Sequence, residues 1–265
     1  MRGLLKLIIC EFAKLKRKKF ILLVAASALL FPGPLVAFMT MPQFAVEDRV
    51  KNFNEYFGFV MGYGVEMLLP CVIGVIAAML FFMERDNDTF KNLRTIPVTS
   101  TQMIFAKIAT LFFCGIVFSF ISALSAVVCG CLVKEAEVTG VVYKFVIAAE
   151  MGIFITAGTL PLVVLVVFCS KTYVFSILLC VFYSVLSLTA ESCFEVLPRM
   201  LCWLMPIPLT TLWAAADMVR HGVRDNIATL EHLFPSTLQT VCILGAMTLI
   251  SVALIDYLYK RRGEN

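Results

Sequence analysis

The amino-acid sequence predicts an all-α polytopic membrane protein, with six transmembrane helices and no segment left over for a soluble domain. Of its 265 residues, 61% are hydrophobic and only 15% are charged, whereas soluble domains average roughly a quarter charged residues. The mean hydropathy is +0.94, and the apolar residues come in long uncharged blocks. We therefore treat residues 1–265 as a single transmembrane domain.

Six stretches are long enough to cross a bilayer, because a spanning helix needs about 20 mostly apolar residues. They lie at about 20–41, 58–83, 104–133, 143–169, 172–190 and 235–257. The segment 42–57 is expected to be an external loop between the first two spans.

A seventh uncharged stretch, 200–216, is not predicted to cross. Pro206 and Pro208 interrupt it, and a further crossing would put the basic C-terminal tail outside. We expect short re-entrant or external helices here, within a loop at 191–234. Because irregular backbone at membrane depth must be covered by protein, these helices should pack on the spans.

The basic residues predict the orientation. In a six-span chain, fifteen of the 22 Lys and Arg residues fall on the side of the N-terminal tail, the 84–107 segment, the turn at Lys171 and the C-terminal tail, and seven fall on the other side. Basic residues accumulate in cytoplasmic loops. Both termini are therefore expected to be cytoplasmic, in a multi-pass protein of the bacterial plasma membrane.

The N-terminal residues 1–19 have the pattern of an interfacial amphipathic helix. At about 100° per residue, one stripe collects its apolar side chains: Leu4, Leu5, Ile8, Phe12 and Leu15. A disordered basic tail is the alternative. The following apolar run is 22 residues long, which is too long for the apolar core of a cleaved signal peptide.

A polar cytoplasmic loop at 84–103 separates the second and third spans. Thr99-Ser-Thr-Gln102 has the spacing of a capping box and predicts the start of the third span. Between Asp88 and Ile96 there is room for about two helical turns, and an apolar residue recurs at every third position, at Phe90, Leu93 and Ile96. Such a short helix does not bury its stripe alone. Two interpretations stay open, a helix that docks on another protein and an ordinary solvated loop.

The loop resembles a pattern of type-2 ABC transporter permeases. The matching residues are Glu84-x-Asp86-x-Asp88-Thr89, Leu93, Ile96-Pro97-Val98-Thr99-Ser100 and Lys107. The stretch 89–97 is most similar to the bacitracin and lantibiotic self-protection permeases, although Asp88 stands where the family commonly has Gly. The resemblance implies that this loop is the coupling helix that docks on an ATPase subunit. The residues it implies for coupling are Glu84, Asp86, Asp88, Thr89, Phe90, Leu93, Ile96 and Pro97.

The resemblance also implies the partners. The sequence contains no G-x-x-x-x-G-K-[ST] phosphate-binding loop, so we expect a non-catalytic membrane subunit that binds no cofactor itself. ATP and Mg would be bound by a separate ATPase chain. A second permease chain, either identical or a sister permease, membrane lipid and a peptide substrate are the other expected partners, and nucleic acid is not.

Four acids are candidates for an external substrate mouth: Glu66, Glu150, Glu191 and Glu195. Glu66 precedes Glu84 by 18 residues, about 27 Å of helix, so it is expected near the outer surface. The alternative is that each carboxylate only faces water at a helix end. His221 and His232 lack the spacing of metal ligands, and pairing of Cys193 with Cys202 stays open.

The chain is expected to be the membrane subunit of an ABC exporter that expels peptide antibiotics of the lantibiotic or bacitracin type. This export would give the bacterium resistance or immunity to those antibiotics. Two alternatives have the same sequence support within the fold, a non-transporting sensor and a lipid-handling complex. A secondary transporter would need polar residues at mid-depth, and the sequence has few.

Overall fold

The computed structural model describes residues 2–17, 20–41, 48–86, 99–133, 136–168, 173–225 and 229–264. Within these ranges the chain is helical throughout apart from short connections, and no strand occurs. The helices are α1 (Arg2–Arg17), α2 (Phe20–Leu30), α3 (Pro32–Met39), α4 (Arg49–Phe59), α5 (Met67–Asp86), α6 (Ser100–Gly130), α7 (Val141–Phe168), α8 (Tyr173–Ser192), α9 (Arg199–Leu204), α10 (Pro206–Arg220) and α11 (Thr237–Glu264). A π-helical segment, Val60–Glu66, joins α4 to α5, and a 3₁₀ turn, Glu231–Leu233, precedes α11.

Six of these helical stretches are long and apolar enough to cross a membrane: Leu22–Met39, Arg49–Phe82, Ser100–Gly130, Val141–Phe168, Tyr173–Ser192 and Thr237–Arg261. The predicted all-α polytopic fold with six spans is therefore confirmed. The first span bends at Phe31, where α2 ends and α3 begins with Pro32, because a proline has no N–H to donate to the preceding turn.

One predicted loop is wrong. Residues 49–57 of the expected loop 42–57 form α4, and helix continues from Arg49 to Asp86. The Asp48 carboxylate caps its start by accepting from the backbone N–H groups of Val50 and Lys51. Phe53, Tyr56 and Phe57 share one face and are fully buried. The charged residues of this stretch, Arg49, Lys51 and Glu55, would suit a loop, although the apolar spacing is helical.

Helix α7 lies at the centre of the bundle, where it packs against α5, α6, α10 and α11. Glycines bring it close to α6, since a Cβ added at Gly152 would lie 2.9 Å from the carbonyl oxygen of Gly115. The helices α2–α3, α8 and α11 are peripheral and expose most of their apolar surface. The central helices thus form the core, and the peripheral helices present apolar faces to their surroundings.

The bundle has two distinct ends. At the terminal end, α1 lies beside the first turns of α6, and Thr101 of α6 hydrogen-bonds to Asp256 of α11 at 3.0 Å. The Thr99–Gln102 capping box predicted for the start of α6 is present. At the opposite end lie the starts of α4, α7 and α11, the end of α8, and the helices α9 and α10.

The α9–α10 pair confirms that 200–216 is a broken helical stretch packed on the spans. The break falls at Met205, and Pro206 starts α10. The side chain of Pro206 lies against Gly158 of α7. A Cβ added to Gly158 would lie 2.8 Å from the Cβ of Pro206. Gly158 is 17 residues from the first residue of α7, about 25 Å along the helix. The break therefore reaches the middle level of α7.

Candidate functional site

Two places on the molecule hold the residues that the sequence singled out, one at each end of the bundle. At the terminal end, the residues 87–98 lie outside the described part of the chain, and with them Asp88, Thr89, Phe90, Leu93, Ile96 and Pro97. Glu84 and Asp86 lie in the last turn of α5. The described backbone therefore frames the loop that is predicted to couple to the ATPase, between the end of α5 and the capped start of α6.

A buried lysine ties the helices together beneath this loop. The ammonium group of Lys107 donates to the carbonyl oxygen of Leu80 at 2.6 Å and lies 3.5 Å from a carboxylate oxygen of Glu11. It also lies 5.4 Å from the centre of the Phe81 ring, within the range of a cation–π contact. Helices α1, α5 and α6 are thus joined by one fully buried cation.

Sequence reasoning missed the role of Glu11. It is the sole acid in residues 1–19, and it lies three residues after Ile8 and four before Leu15, on the apolar face of α1. That position was a usable signal, because an acid on the buried face of a basic helix needs a cationic partner. In the structure Leu15 and Glu11 are buried while Leu5 is exposed, so α1 packs on α6 with only part of its predicted stripe.

At the opposite end, the structure brings two of the four predicted acids together. Glu66 lies at the end of the π-helical segment and is 3% exposed. Glu191 lies at the end of α8 and accepts a 2.9 Å hydrogen bond from the hydroxyl of Thr211, on α10. Thr211 and Glu191 are both neighbours of the Glu66 carboxyl. Three separate elements therefore meet at a pair of carboxyl groups.

Glu66 lies deeper in its helix than the expected span 58–83 implied. It lies 17 residues inside the helix that begins at Arg49. Pro70 follows it by four residues and has no N–H to donate to the Glu66 carbonyl, which favours the wider turns of the π-helical segment. π-Helical segments are rare in proteins, and those that occur are often found at functional sites. Nothing in the sequence pattern indicated this segment.

A cavity of about 270 Å³ lies beside this pair, between the end of α8, α10 and the segment that follows α10. Glu191 and Thr211 belong to its wall. The other lining residues are Tyr63, Leu188, Ser192, Phe194, Leu212, Ala215, Val219, Arg224, Asp225, Leu230 and Phe234. The cavity thus combines apolar and aromatic side chains with a few polar groups, as small-ligand sites do.

Glu150 and Glu195 do not join this pair. Glu150 lies near Asp217 and His221. There Asp217 accepts a 2.8 Å hydrogen bond from Tyr143, whose ring stacks on His221 with centroids 4.3 Å apart. Glu195 is exposed to solvent. The four acids therefore occupy three places, and the sequence pattern gave no sign of this division.

Neither a metal nor a disulfide marks the site. In the part of the chain that the structure describes, no group of three or more His, Cys, Asp or Glu side chains is arranged to hold a metal ion. Cys193 and Cys202 are both free thiols, the first exposed and the second buried. Burial raises the pKa of the Cys202 thiol. The arrangement therefore provides charge, hydrogen bonding and an apolar wall.

Comparison with known proteins identifies the family. The family model described as ABC-2 family transporter protein matches residues 7–187, about two thirds of the chain. The match runs from α1 to α8 and ends before Glu191 and the helices α9 and α10. No curated protein matches the chain.

Members of this family are membrane subunits of ABC transporters, and each works with an ATP-binding cassette partner. The six apolar helices described above agree with that role in a multi-pass membrane protein. Because the match covers more than half of its length, this chain belongs to the ABC-2 family of transporter proteins and is the membrane permease subunit of an ABC transporter.

Proposed function

We propose that this permease, paired with a second permease chain and two ATPase subunits, expels cationic peptide antibiotics of the lantibiotic or bacitracin type from the bacterial plasma membrane. Both termini lie in the cytoplasm in this proposal. The distribution of basic residues supports that orientation, because fifteen of the 22 Lys and Arg residues fall on the side of the termini.

The loop 84–103 is the coupling element in this proposal. Its flanks are held firmly, since Lys107 joins α1, α5 and α6, and Asp256 joins the start of α6 to α11. Force applied to the loop would therefore reach four helices. The ATPase subunits bind ATP and Mg and dock on the apolar stripe of Phe90, Leu93 and Ile96.

The peripheral helices support assembly with a second permease. In an 18-residue apolar stretch of the α2–α3 span and of the α11 span, 22% of the residues are buried within the chain, and in such a stretch of α8 the share is 28%. These apolar faces are available to lipid and to a partner helix. A second copy or a sister permease covers part of them in this proposal, with lipid on the remainder.

The observation that carries the substrate class is the cavity beside Glu66 and Glu191. It lies at the end of the bundle away from the termini, and its wall places the Glu191 carboxyl beside apolar side chains such as Phe194 and Leu212. Amphipathic cationic peptides present the complementary surface, and they already partition into the outer leaflet. The similarity of residues 89–97 to lantibiotic and bacitracin permeases agrees with this class.

Growth inhibition tests the proposal. A sensitive Gram-positive host expresses the chain with its partner ATPase, and the minimum inhibitory concentration is measured for a lantibiotic, for bacitracin and for an antibiotic that acts inside the cell. We expect several-fold protection against an envelope peptide and none against the internal antibiotic. The control is the same complex with the phosphate-binding lysine of the ATPase replaced.

Two results would reject the proposal. Absence of protection against both envelope peptides would remove the antibiotic function. Protection that persists in full with the inactive ATPase would show that no ATP-driven expulsion occurs and would favour a sensor.

A further inference from the structure

The cavity between α8 and α10 has the size of a site for part of a molecule. Its volume is about 270 Å³, just below the roughly 300–1,000 Å³ of sites that enclose a whole drug-sized ligand. A folded peptide does not fit such a space. One side chain of a larger ligand does, entering from the surface formed by the segment after α10.

The wall of the cavity is divided by chemistry. Phe194, Leu212 and Phe234 give it apolar surface. Glu191 and Thr211 give it polar groups, and their mutual hydrogen bond fixes the Glu191 carboxyl in place. A ligand group with an apolar stem and a polar tip matches both parts, since long basic side chains lay their methylene groups on apolar surface and keep the charge at a polar one.

The charge next to the cavity favours a cation at that tip. Glu66 is buried next to Thr211 and Glu191, and two neighbouring carboxylates in a poorly solvated place repel each other unless one of them binds a proton or a positive charge lies beside them. Arg224 also lines the cavity and its charge acts on Glu66, but its side chain is exposed, so water weakens that attraction. Asp225 is held by Lys51 at 3.2 Å.

We infer that this cavity binds a primary ammonium group on an apolar stem, namely one lysine side chain of a cationic peptide, with the ammonium against Glu191 and the methylene groups along the apolar wall. The identity of the peptide rests on the proposed function. An ammonium fits better than a guanidinium, because it is compact whereas the guanidinium is a wide planar fork.

Binding of a small fluorescent amine tests the site directly. Dansylcadaverine carries a primary ammonium on a five-carbon chain, and its N-acetylated form is the neutral control. The purified permease is placed in phosphatidylcholine nanodiscs, and binding is followed by fluorescence anisotropy. We expect the amine to bind and the acetylated form to bind at least tenfold more weakly.

Variants assign the binding to the cavity. Glu191→Gln should weaken amine binding about tenfold, and Glu191→Asp should weaken it less, because the charge is kept. Glu195→Gln is the matched control and should leave binding within twofold, since Glu195 is an exposed acid four residues away, outside the cavity wall. Equal effects of the Glu191→Gln and Glu195→Gln variants, or equal binding of amine and acetylated amine, would overturn the inference.

An aminolipid arm distinguishes the source of the ammonium group. Nanodiscs that contain phosphatidylethanolamine should bind dansylcadaverine as tightly as those of phosphatidylcholine. A tenfold loss there would identify the lipid head group as the occupant and overturn the peptide assignment. The permease could bind the amine in a Glu191-dependent way and yet give no antibiotic protection. That result would support the ammonium site and reject only the proposed function.

Discussion

Lys107 and Glu11, 96 positions apart in the sequence, form a buried ion pair with 3.5 Å between the ammonium nitrogen and a carboxylate oxygen. The Lys107 side chain is fully buried. The pair fastens the amphipathic helix α1 to the base of α6, close to the coupling loop. Its position packs α1 against the bundle, and the location of α1 in the headgroup plane stays a prediction.

Removing one partner of this pair should destabilise the protein strongly. Glu11→Ala removes the carboxylate that faces the buried Lys107 ammonium, and an uncompensated buried charge costs about 3–5 kcal/mol. Lys107→Met should cost less, because Glu11 keeps its contact with Lys14. The apparent melting temperature in detergent checks this order. Lys16→Met, at an exposed base of α1, is the control, and an equal loss for all three would contradict it.

The coupling loop should be the contact with the ATPase. Phe90→Asp or Leu93→Asp puts a charge into its apolar stripe, so we expect loss of ATPase co-purification and of ATPase stimulation without unfolding of the spans. Asn92→Asp, at a polar position of the same loop, is the matched control. Wild-type binding and stimulation in both stripe variants would show that the loop does not dock there.

The stretch 191–234 should enter the protein from the outside and return there without crossing the membrane. In a cysteine-free background, Arg199→Cys and Arg224→Cys should both react with an impermeant thiol reagent applied to whole cells, because both positions are exposed. Cys202 as the only cysteine should react far more slowly, since burial raises its pKa and the thiolate is the reactive form. Labelling at only one of the two arginine positions would mean that the chain crosses the membrane between them.

The four acids predicted for the external mouth (Glu66, Glu150, Glu191 and Glu195) should contribute jointly to protection against cationic peptides. Gln substitution of all four acids should raise sensitivity to a cationic envelope peptide more than to a near-neutral one. Attraction near the surface is worth about 1–4 kcal/mol per close pair, so single changes should have graded effects. Glu66→Gln and Glu191→Gln should be non-additive because they share Thr211, whereas Glu195→Gln should add independently. Unchanged protection in the quadruple variant would leave these carboxylates only a solvating role.

The close approach of α6 and α7 should depend on glycine. A Cβ at Gly115 would collide with the Thr156 hydroxyl and lie 3.0 Å from the carbonyl oxygen of Gly152, so Gly115→Ala should destabilise by about 1–3 kcal/mol. Gly245 of α11 has open space around it, and Gly245→Ala should stabilise by roughly 0.5–1 kcal/mol through helix propensity. Melting in detergent compares the two, and a greater loss for the Gly245 variant would refute this packing argument.

The sequence was sufficient for the features that depend on local chemistry. Span length and charge predicted the six helices, the Thr99–Gln102 spacing predicted the cap of α6, and Pro206 predicted the break before α10. A spacing of four between glycines does not by itself mark a helix contact: at Gly58 and Gly62, among the described residues, an added Cβ would meet only the Glu66 carboxylate of the same helix, 4.0 Å from Gly62. The close approach of α6 and α7 occurs instead at Gly115 and Gly152. Local spacing in the sequence does not reveal which face of a helix meets a neighbouring helix.

The candidate site was less predictable, because its residues come from distant parts of the chain. Glu66 and Glu191 were identified as acids of interest, but their meeting through Thr211 depends on how α10 folds back onto α8 and α7. The same folding separates Glu150, which lies beside Asp217. Helix length predicts that Glu66 lies near the outer surface, and this stays a prediction, whereas the extension of the helix to Arg49 was not expected.

The distribution of a labelled peptide between cells and medium tests directly whether this permease expels a cationic envelope peptide in an ATP-driven way. Cells carrying the complete complex are loaded with a fluorescent lantibiotic, then supplied with glucose, and peptide is measured on the cells and in the medium. The account predicts that cell-associated peptide falls and intact peptide appears in the medium, and that neither happens with the ATPase variant that cannot bind phosphate. Peptide that stays on energised wild-type cells to the same extent as on cells with the inactive complex would contradict it.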